Sequence, residues 1–172
     1  MTQSPTLPLS GRRALVTGGS RGIGAGIVRR LVADGADVAF TYSTSAGAAD
    51  NLVAELSTNG VKVVALQADS ADSSAVQAAV TETVHQLGGV DILVNVAGIL
   101  SNNKCFETSA EEWRKVHAVN YDSAFYLSKA CMPHMVAQGW GRVVNLSSWA
   151  WKSGGLTAGT AYSASKAAVS IE

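Results

Sequence analysis

Arg13-Ala14-Leu15-Val16-Thr17-Gly18-Gly19-Ser20-Arg21-Gly22-Ile23-Gly24 is the stretch whose reading decides the fold. Its first five residues form a short apolar run of strand length. Its middle is a glycine cluster. Beyond it, Ile23, Ile27, Leu31 and Val32 recur at helical spacing as far as Ala33. A strand that turns through glycines into a helix leaves the first helical amides unpaired, at the positive end of the helix dipole. Such a turn lets the backbone approach a pyrophosphate and favours the anion. The spacing is Thr-Gly-x-x-x-Gly-Ile-Gly, not the Gly-x-Gly-x-x-Gly of the common dinucleotide fingerprint. Glycines alone say little; their place between a strand and a helix gives them weight.

Outward from this loop the pattern repeats. Asp37 to Tyr42 reads as a second strand. Ala46 to Thr58 reads as a helix closed by Asn59-Gly60. Val61 to Gln67 is a third strand, and Asp72 caps a helix that runs to Leu87 and stops at Gly88-Gly89. Asp91 to Asn95 is a fourth strand. Residues 110–137 are helical in two pieces, with Pro133 expected to kink the last part. Arg142 to Leu146 is a fifth strand, and a last helix starts at Thr160. Strands this apolar are covered on both faces, which predicts an α/β protein with a parallel sheet and right-handed crossovers. No linker, low-complexity tract or repeat interrupts the pattern, so residues 1–172 are expected to form a single domain.

Composition narrows the function. Lys+Arg and Asp+Glu each number 13 among 172 residues, so no basic excess points to nucleic acid or an anionic membrane surface. The longest apolar run, near Val90 to Leu100, holds Asp91 and Asn95 and is too short to span a bilayer. The N-terminus has no apolar core of a signal peptide before Arg12-Arg13. Cys105 and Cys131 stand in no Cys-x-x-Cys spacing, and His85, His117 and His134 show no ligand spacing. No metal site or disulfide framework is expected, and the expected compartment is a reducing cytoplasm.

At Thr17-Gly18-x-x-x-Gly22-Ile23-Gly24 the sequence resembles the short-chain dehydrogenase/reductase family, classical type. The resemblance runs from Gly11 to Glu172. It implies a three-layer, Rossmann-like, doubly wound sheet of order 3-2-1-4-5, with strands 6 and 7 of the family missing. It also implies a nicotinamide cofactor. An acidic residue at the end of the second strand would bind the ribose hydroxyls of NAD and repel a 2′-phosphate. Here that place holds Tyr42, Ser43 and Thr44; the next carboxylate along the chain is Asp50, inside the next helix. Arg21 offers a guanidinium within the glycine loop. Both features favour NADP(H), with NAD(H) left open. Asp69 resembles the family aspartate that contacts the adenine amino group, although its own chemistry fits a turn or cap with Ser70 and Asp72 equally well. Asn95-Val96-Ala97-Gly98 resembles the family's Asn-Asn-Ala-Gly, with Val96 replacing the second Asn. The implied cofactor-binding set is Gly18, Ser20, Arg21, Gly22, Ile23, Gly24, Tyr42, Ser43, Asp69, Ser70, Asn95, Ala97 and Gly98, joined by Tyr162 and Lys166.

Tyr162-Ser163-Ala164-Ser165-Lys166 puts a phenol and an ammonium on one helix face at i,i+4. A free phenol is ionised only about one part in a thousand at pH 7, and a neighbouring cation favours the ionised form. Such a pair suits proton transfer near neutrality. A lone Tyr-x-x-x-Lys is more often a solvated helix face. Here it follows Ser148 at about the family's distance, and Asn120 resembles the family's helix-kinking asparagine. The implied reaction is hydride transfer between the nicotinamide and a carbonyl or secondary alcohol, in the manner of the 3-oxoacyl-carrier-protein reductase branch. Tyr162 would give or take the proton, Ser148 would orient the substrate oxygen, Lys166 would hold the nicotinamide ribose, and Asn120 would complete a proton relay. Trp149 and Trp151 fit a substrate wall or a packing surface equally well. The resemblance implies a small-molecule carbonyl or alcohol as partner, and homodimers or homotetramers among full-length relatives. Ser170-Ile171-Glu172 reads as the middle of a helix, so a chain cut six residues after Lys166 is expected. The competing reading is therefore a truncated remnant that binds nucleotide or only packs, without turnover.

Overall fold

The computed structural model describes residues 7–57, 60–156 and 158–172. The strands are β1 (Arg13–Val16), β2 (Asp37–Tyr42), β3 (Val63–Gln67), β4 (Ile92–Asn95) and β5 (Arg142–Asn145). The helices are α1 (Gly22–Ala33), α2 (Ala46–Leu56), α3 (Ser73–Leu87), α4 (Ala110–His117), α5 (Ser123–Ala137) and α6 (Thr160–Val169). A π-helical stretch, Ala118–Asp122, joins α4 to α5, and a 3₁₀ turn, Trp149–Trp151, follows β5.

All strand pairs are parallel, in the order β3-β2-β1-β4-β5. Leu15 lies between Ala39 and Leu93 in the central register. Side chains alternate across a strand, so β1 serves two cores. Ala14 and Val16 join Val28, Phe40, Leu52 and Val94 under α1 and α2. Leu15 joins Val76, Val80, Leu93, Leu127 and Met135 under α3 and α5. Burying each such Leu, Val or Phe contributes roughly 1.5–3 kcal/mol before entropy is set against it. Cys131 is wholly buried in the second core, where burial pushes its thiol up to about 12; Cys105 is exposed. The chain winds from β1 out to β3, then crosses back to lay β4 on the other side of β1. The carboxyl ends of β1 and β4 therefore border a crevice where the winding reverses.

Several boundaries differ from the sequence pattern. β3 begins at Val63 and not at Val61, because Asp37 accepts the Lys62 amide at 2.7 Å and turns the entry. α2 ends at Leu56; the expected end at Thr58 and part of the expected cap, Asn59, lie outside the described residues. The long helix does part into two pieces, but at Ala118–Asp122; Pro133 sits inside α5, which runs on to Ala137. β5 is one of the two outer strands, and Val144 is 52% exposed, so the expected cover on both faces fails at this edge.

Asp91 belongs to the turn before β4, not to the strand. Its side chain, 1% exposed, accepts the Arg13 amide and Nε at 2.8 Å each and Nη2 at 3.0 Å. Burial alone would raise the Asp91 carboxyl, but the Arg13 hydrogen bonds and charge outweigh it and hold the group below its ordinary value. The stabilisation is thus full above the unfolded aspartate value of about 3.9 and is lost as pH falls below it. Asp91→Ala removes the carboxylate that pairs with Arg13, leaving its guanidinium only Gly88 and Gln138, and is expected to cost about 3 kcal/mol, read as a lower denaturant midpoint with an unchanged slope.

Candidate functional site

The glycine loop is held from two sides. The Gly18 amide donates to Thr41 Oγ1 at 3.2 Å and the Gly19 amide to the Thr41 carbonyl at 2.9 Å, which ties the loop to the end of β2. Thr17 Oγ1 accepts the amides of Val96 and Ala97 at 2.9 and 3.0 Å, which ties the end of β1 to the segment after β4. Gly18 takes φ +62° to make the turn. A Cβ on Gly24 would stand 2.1 Å from the Gly18 carbonyl oxygen, so the first turn of α1 can lie against the loop only without a side chain there. Arg21, the N-cap of α1, makes no side-chain cap hydrogen bond, whereas Asp72 caps α3 and Ser109 caps α4.

A cleft of about 600 Å³ opens above this loop. Gly18, Ser20, Arg21, Gly22, Ile23 and Gly24 line it. So do Tyr42, Ser43, Asp69, Ser70, Ala97 and Gly98. The Asp69 side chain accepts the Ala71 amide at 2.9 Å, so it makes the turn while bordering the cleft. Asn95 has a different place from the rest of its set. It is buried, its Nδ2 donates to Asn145 Oδ1 at 2.8 Å across β4 and β5, and its own Oδ1 has no partner. The side chain braces the sheet, and Val96 takes the position beside the cleft.

Asn120, Ser148, Tyr162 and Lys166 are not among the lining residues; Asn120 and Lys166 come together at Gly98, which is. Gly98, Asn120 and Lys166 converge: a Cβ on Gly98 would lie 3.4 Å from Asn120 Oδ1 and 3.7 Å from Lys166 Nζ. Asn120 is buried within the π-helical stretch, a local widening often found at functional positions. Its Oδ1 accepts the Ile99 amide at 2.8 Å, and its Nδ2 donates to the Ile99 carbonyl at 3.1 Å and to Ser165 Oγ at 3.0 Å. Ser165 Oγ in turn donates to the Tyr162 carbonyl at 2.8 Å. Lys166 donates to the Leu146 carbonyl at 2.6 Å, and its Nζ stands 6.0 Å from the Tyr162 ring centre. Burial pushes the Lys166 ammonium below the ordinary lysine value. Ser148 caps the 3₁₀ turn by accepting the Ala150 amide at 3.2 Å. Trp149 and Trp151 are 72% and 42% exposed, with Lys152 Nζ 5.1 and 5.3 Å from their ring centres.

Sequence reasoning passed over Thr41, Ile99, Lys115, Val119 and Leu146, which also line the cleft. Lys115 and Val119 are four apart, one turn on a common face, and Val119 adjoins Asn120; that spacing was the available signal. Lys115 joins Arg21 and Asp69 as a charged group on the wall. Among the described residues no helix is long and apolar enough to cross a membrane.

A family model described as short chain dehydrogenase matches residues 12–171. The chain is 39% identical over 137 residues to 3-oxoacyl-[acyl-carrier-protein] reductase FabG of Staphylococcus aureus, covering 80% of this chain and 56% of that protein. It is similar to a blue fluorescent protein from a metagenomic library, solved in complex with NADPH, at a TM-score of 0.89 and 43% identity, covering 94% of this chain and 66% of that one. It is also similar to a short chain dehydrogenase from Burkholderia cenocepacia in complex with NADP, at a TM-score of 0.86 and 43% identity, covering 94% and 65%. The chain thus spans just over half the length of the curated relative, and just under two thirds of the two solved structures.

Proposed function

The chain belongs to the short-chain dehydrogenase family, and from that premise we propose that it is an NADP(H)-dependent oxidoreductase acting on a carbonyl or a secondary alcohol. One observation carries the reading. The glycine-loop cleft adjoins the cluster of Asn120, Ser165, Tyr162 and Lys166 at shared residues: Asn120 accepts the amide of the lining residue Ile99, and Lys166 donates to the carbonyl of the lining residue Leu146.

The residues present fit a dinucleotide. The Gly24 contact brings the start of α1 against the loop, and Arg21 leaves the first amides of that helix without a side-chain cap, as an anion requires. The end of β2 presents Tyr42 and Ser43 to the cleft with no carboxylate to repel a 2′-phosphate, and Arg21 borders the same space. That two solved relatives hold NADPH and NADP supports the same preference. When bound, the nicotinamide supplies or accepts the hydride.

The chain's own groups do the rest. The Tyr162 hydroxyl gives the proton to a carbonyl oxygen or takes it from an alcohol. Lys166, fixed by Leu146 and partly stripped of water, supplies the positive charge beside the phenol. The Ser148 hydroxyl accepts the Ala150 amide and keeps its own proton to donate to the substrate oxygen. Asn120 holds the backbone at Ile99 and reaches α6 through Ser165, so it fixes the distance between the cleft and Tyr162.

Two measurements test the reading. Titration with NADPH and with NADH is expected to give tighter binding of NADPH. Loss of NADPH absorbance with an acetoacetyl-type ketone is expected to require the chain. Absence of NADPH binding overturns the cofactor assignment, and binding without turnover favours the remnant reading. Arg21→Ala is expected to weaken NADPH by about tenfold to a hundredfold while changing NADH little, because a charge-assisted hydrogen bond contributes roughly 1.5–3 kcal/mol. Equal weakening of both cofactors would remove Arg21 from 2′-phosphate recognition.

A further inference from the structure

Tyr162 stands on the first turn of α6, and the start of that helix is seated on a segment that none of the motifs includes. The Gly159 amide donates to the Ser101 carbonyl at 2.7 Å, and the Thr160 amide donates to the Asn103 carbonyl at 3.0 Å. The approach is tight. A Cβ on Gly159 would lie 2.5 Å from the Asn103 carbonyl oxygen and 2.7 Å from that of Ser101. Gly159 has φ −79°, so glycine is required there for space and not for backbone freedom.

The seat is fixed from below and from the side. Glu112, on α4, accepts Ser101 Oγ at 2.5 Å with one carboxylate oxygen and Asn103 Nδ2 at 2.8 Å with the other. Lys104 reaches the opposite way: its Nζ donates to the carbonyls of Gly155 at 2.6 Å and Ala158 at 3.0 Å, just before α6. The hydrogen bonds from Ser101 and Asn103 hold the Glu112 carboxyl below its ordinary value, so it is ionised at neutral pH and accepts with both oxygens.

We propose that Glu112 and Lys104 are positioning residues for the reaction: together they clamp residues 101–104 to the start of α6 and so set where the Tyr162 hydroxyl stands. The inference rests on the oxidoreductase reading for its kinetic consequence, but the clamp itself is a matter of hydrogen bonds that can be followed without turnover. Neither side chain is among the cleft lining residues. Loss of the clamp moves the proton-transferring group and leaves cofactor binding in place. A misplacement of about 1 Å can cost a hundredfold in rate.

The test compares the full chain with Glu112→Ala, Glu112→Gln and Lys104→Met in three measurements: amide hydrogen exchange at Gly159 and Thr160, NADPH affinity by titration, and turnover with a ketone. In Glu112→Ala and Lys104→Met both amides are expected to exchange at least about tenfold faster. NADPH affinity is expected to stay within about twofold, and turnover at saturating NADPH to fall about tenfold or more. Glu112→Gln keeps an acceptor and a donor in the same shape and is expected to recover most of both losses. Unchanged amide exchange in Glu112→Ala overturns the clamp. A loss of NADPH affinity in step with turnover also overturns it, because the residue would then support the cleft as a whole. If the unaltered chain shows no turnover, the oxidoreductase reading fails, and the amide exchange of the variants still decides the clamp.

Discussion

Tyr162→Phe is expected to lower turnover by about a thousandfold while leaving NADPH binding intact. General acid–base catalysis by a positioned side chain contributes roughly 10²–10⁴-fold, and Lys166 Nζ stands 6.0 Å from the Tyr162 ring centre. The variant removes one oxygen and keeps the ring. The Tyr162 carbonyl still accepts Ser165 Oγ, and Lys166 still donates to the Leu146 carbonyl, so α6 keeps its seat. Binding and turnover should therefore separate. Equilibrium titration with NADPH and single-turnover oxidation of bound NADPH by a ketone measure the two independently. A variant that retains a tenth or more of the rate would show that the proton comes from elsewhere, with Ser148 the first group to examine.

Gly24→Ala is expected to abolish NADPH binding over any practical range, a loss of at least about a hundredfold. The added Cβ would lie 2.1 Å from the Gly18 carbonyl oxygen, 2.9 Å from the Gly18 carbonyl carbon and 3.0 Å from Gly19 Cα. All three are backbone atoms of the loop, so relief requires the loop or α1 to move. Either movement withdraws the amides that would meet the phosphates. Overpacking of this kind also costs roughly 1–3 kcal/mol of stability. A thermal melt separates the two effects: a cooperative transition with no NADPH response places the loss in the cleft. Gly26, two residues on, is the control. A Cβ there meets nothing within 4 Å, and Gly26→Ala is expected to bind NADPH as the unaltered chain does.

Local signals carried the architecture. Asp37–Tyr42 and Ser73–Leu87 stand where their apolar spacing and the Asp72 and Gly88 stops put them. A strand, a glycine turn and a helix in succession leave few topologies open once crossovers are right-handed. The glycine loop and the Tyr162–Lys166 pair were legible for the same reason: each is a spacing within one element. What escaped was contact between distant elements. Asn95 looks like a cleft residue in sequence, but its side chain is taken by Asn145, fifty residues on. Lys115 reads as one more exposed charge on a polar helix until α4 is set against the cleft. Glu112 lies beside a tryptophan in an acidic first turn, where helix capping accounts for it; only the fold brings Ser101 and Asn103 to its carboxylate.

The π-helical stretch at Ala118–Asp122 has a consequence for the rod it interrupts. One residue inserted into an α-helix advances everything beyond it by about 100° of rotation and 1.5 Å of rise. α4 turns its inner face to α6, while α5 turns its own to α3 and the sheet. The widened turn lies between the two sets of contacts, and the two helices keep separate allegiances within one continuous segment. Asn120 sits within that turn. A single-residue deletion in this turn would restore an even helix at the expense of the angular offset, and would force Asn120 to leave either Ile99 or Ser165.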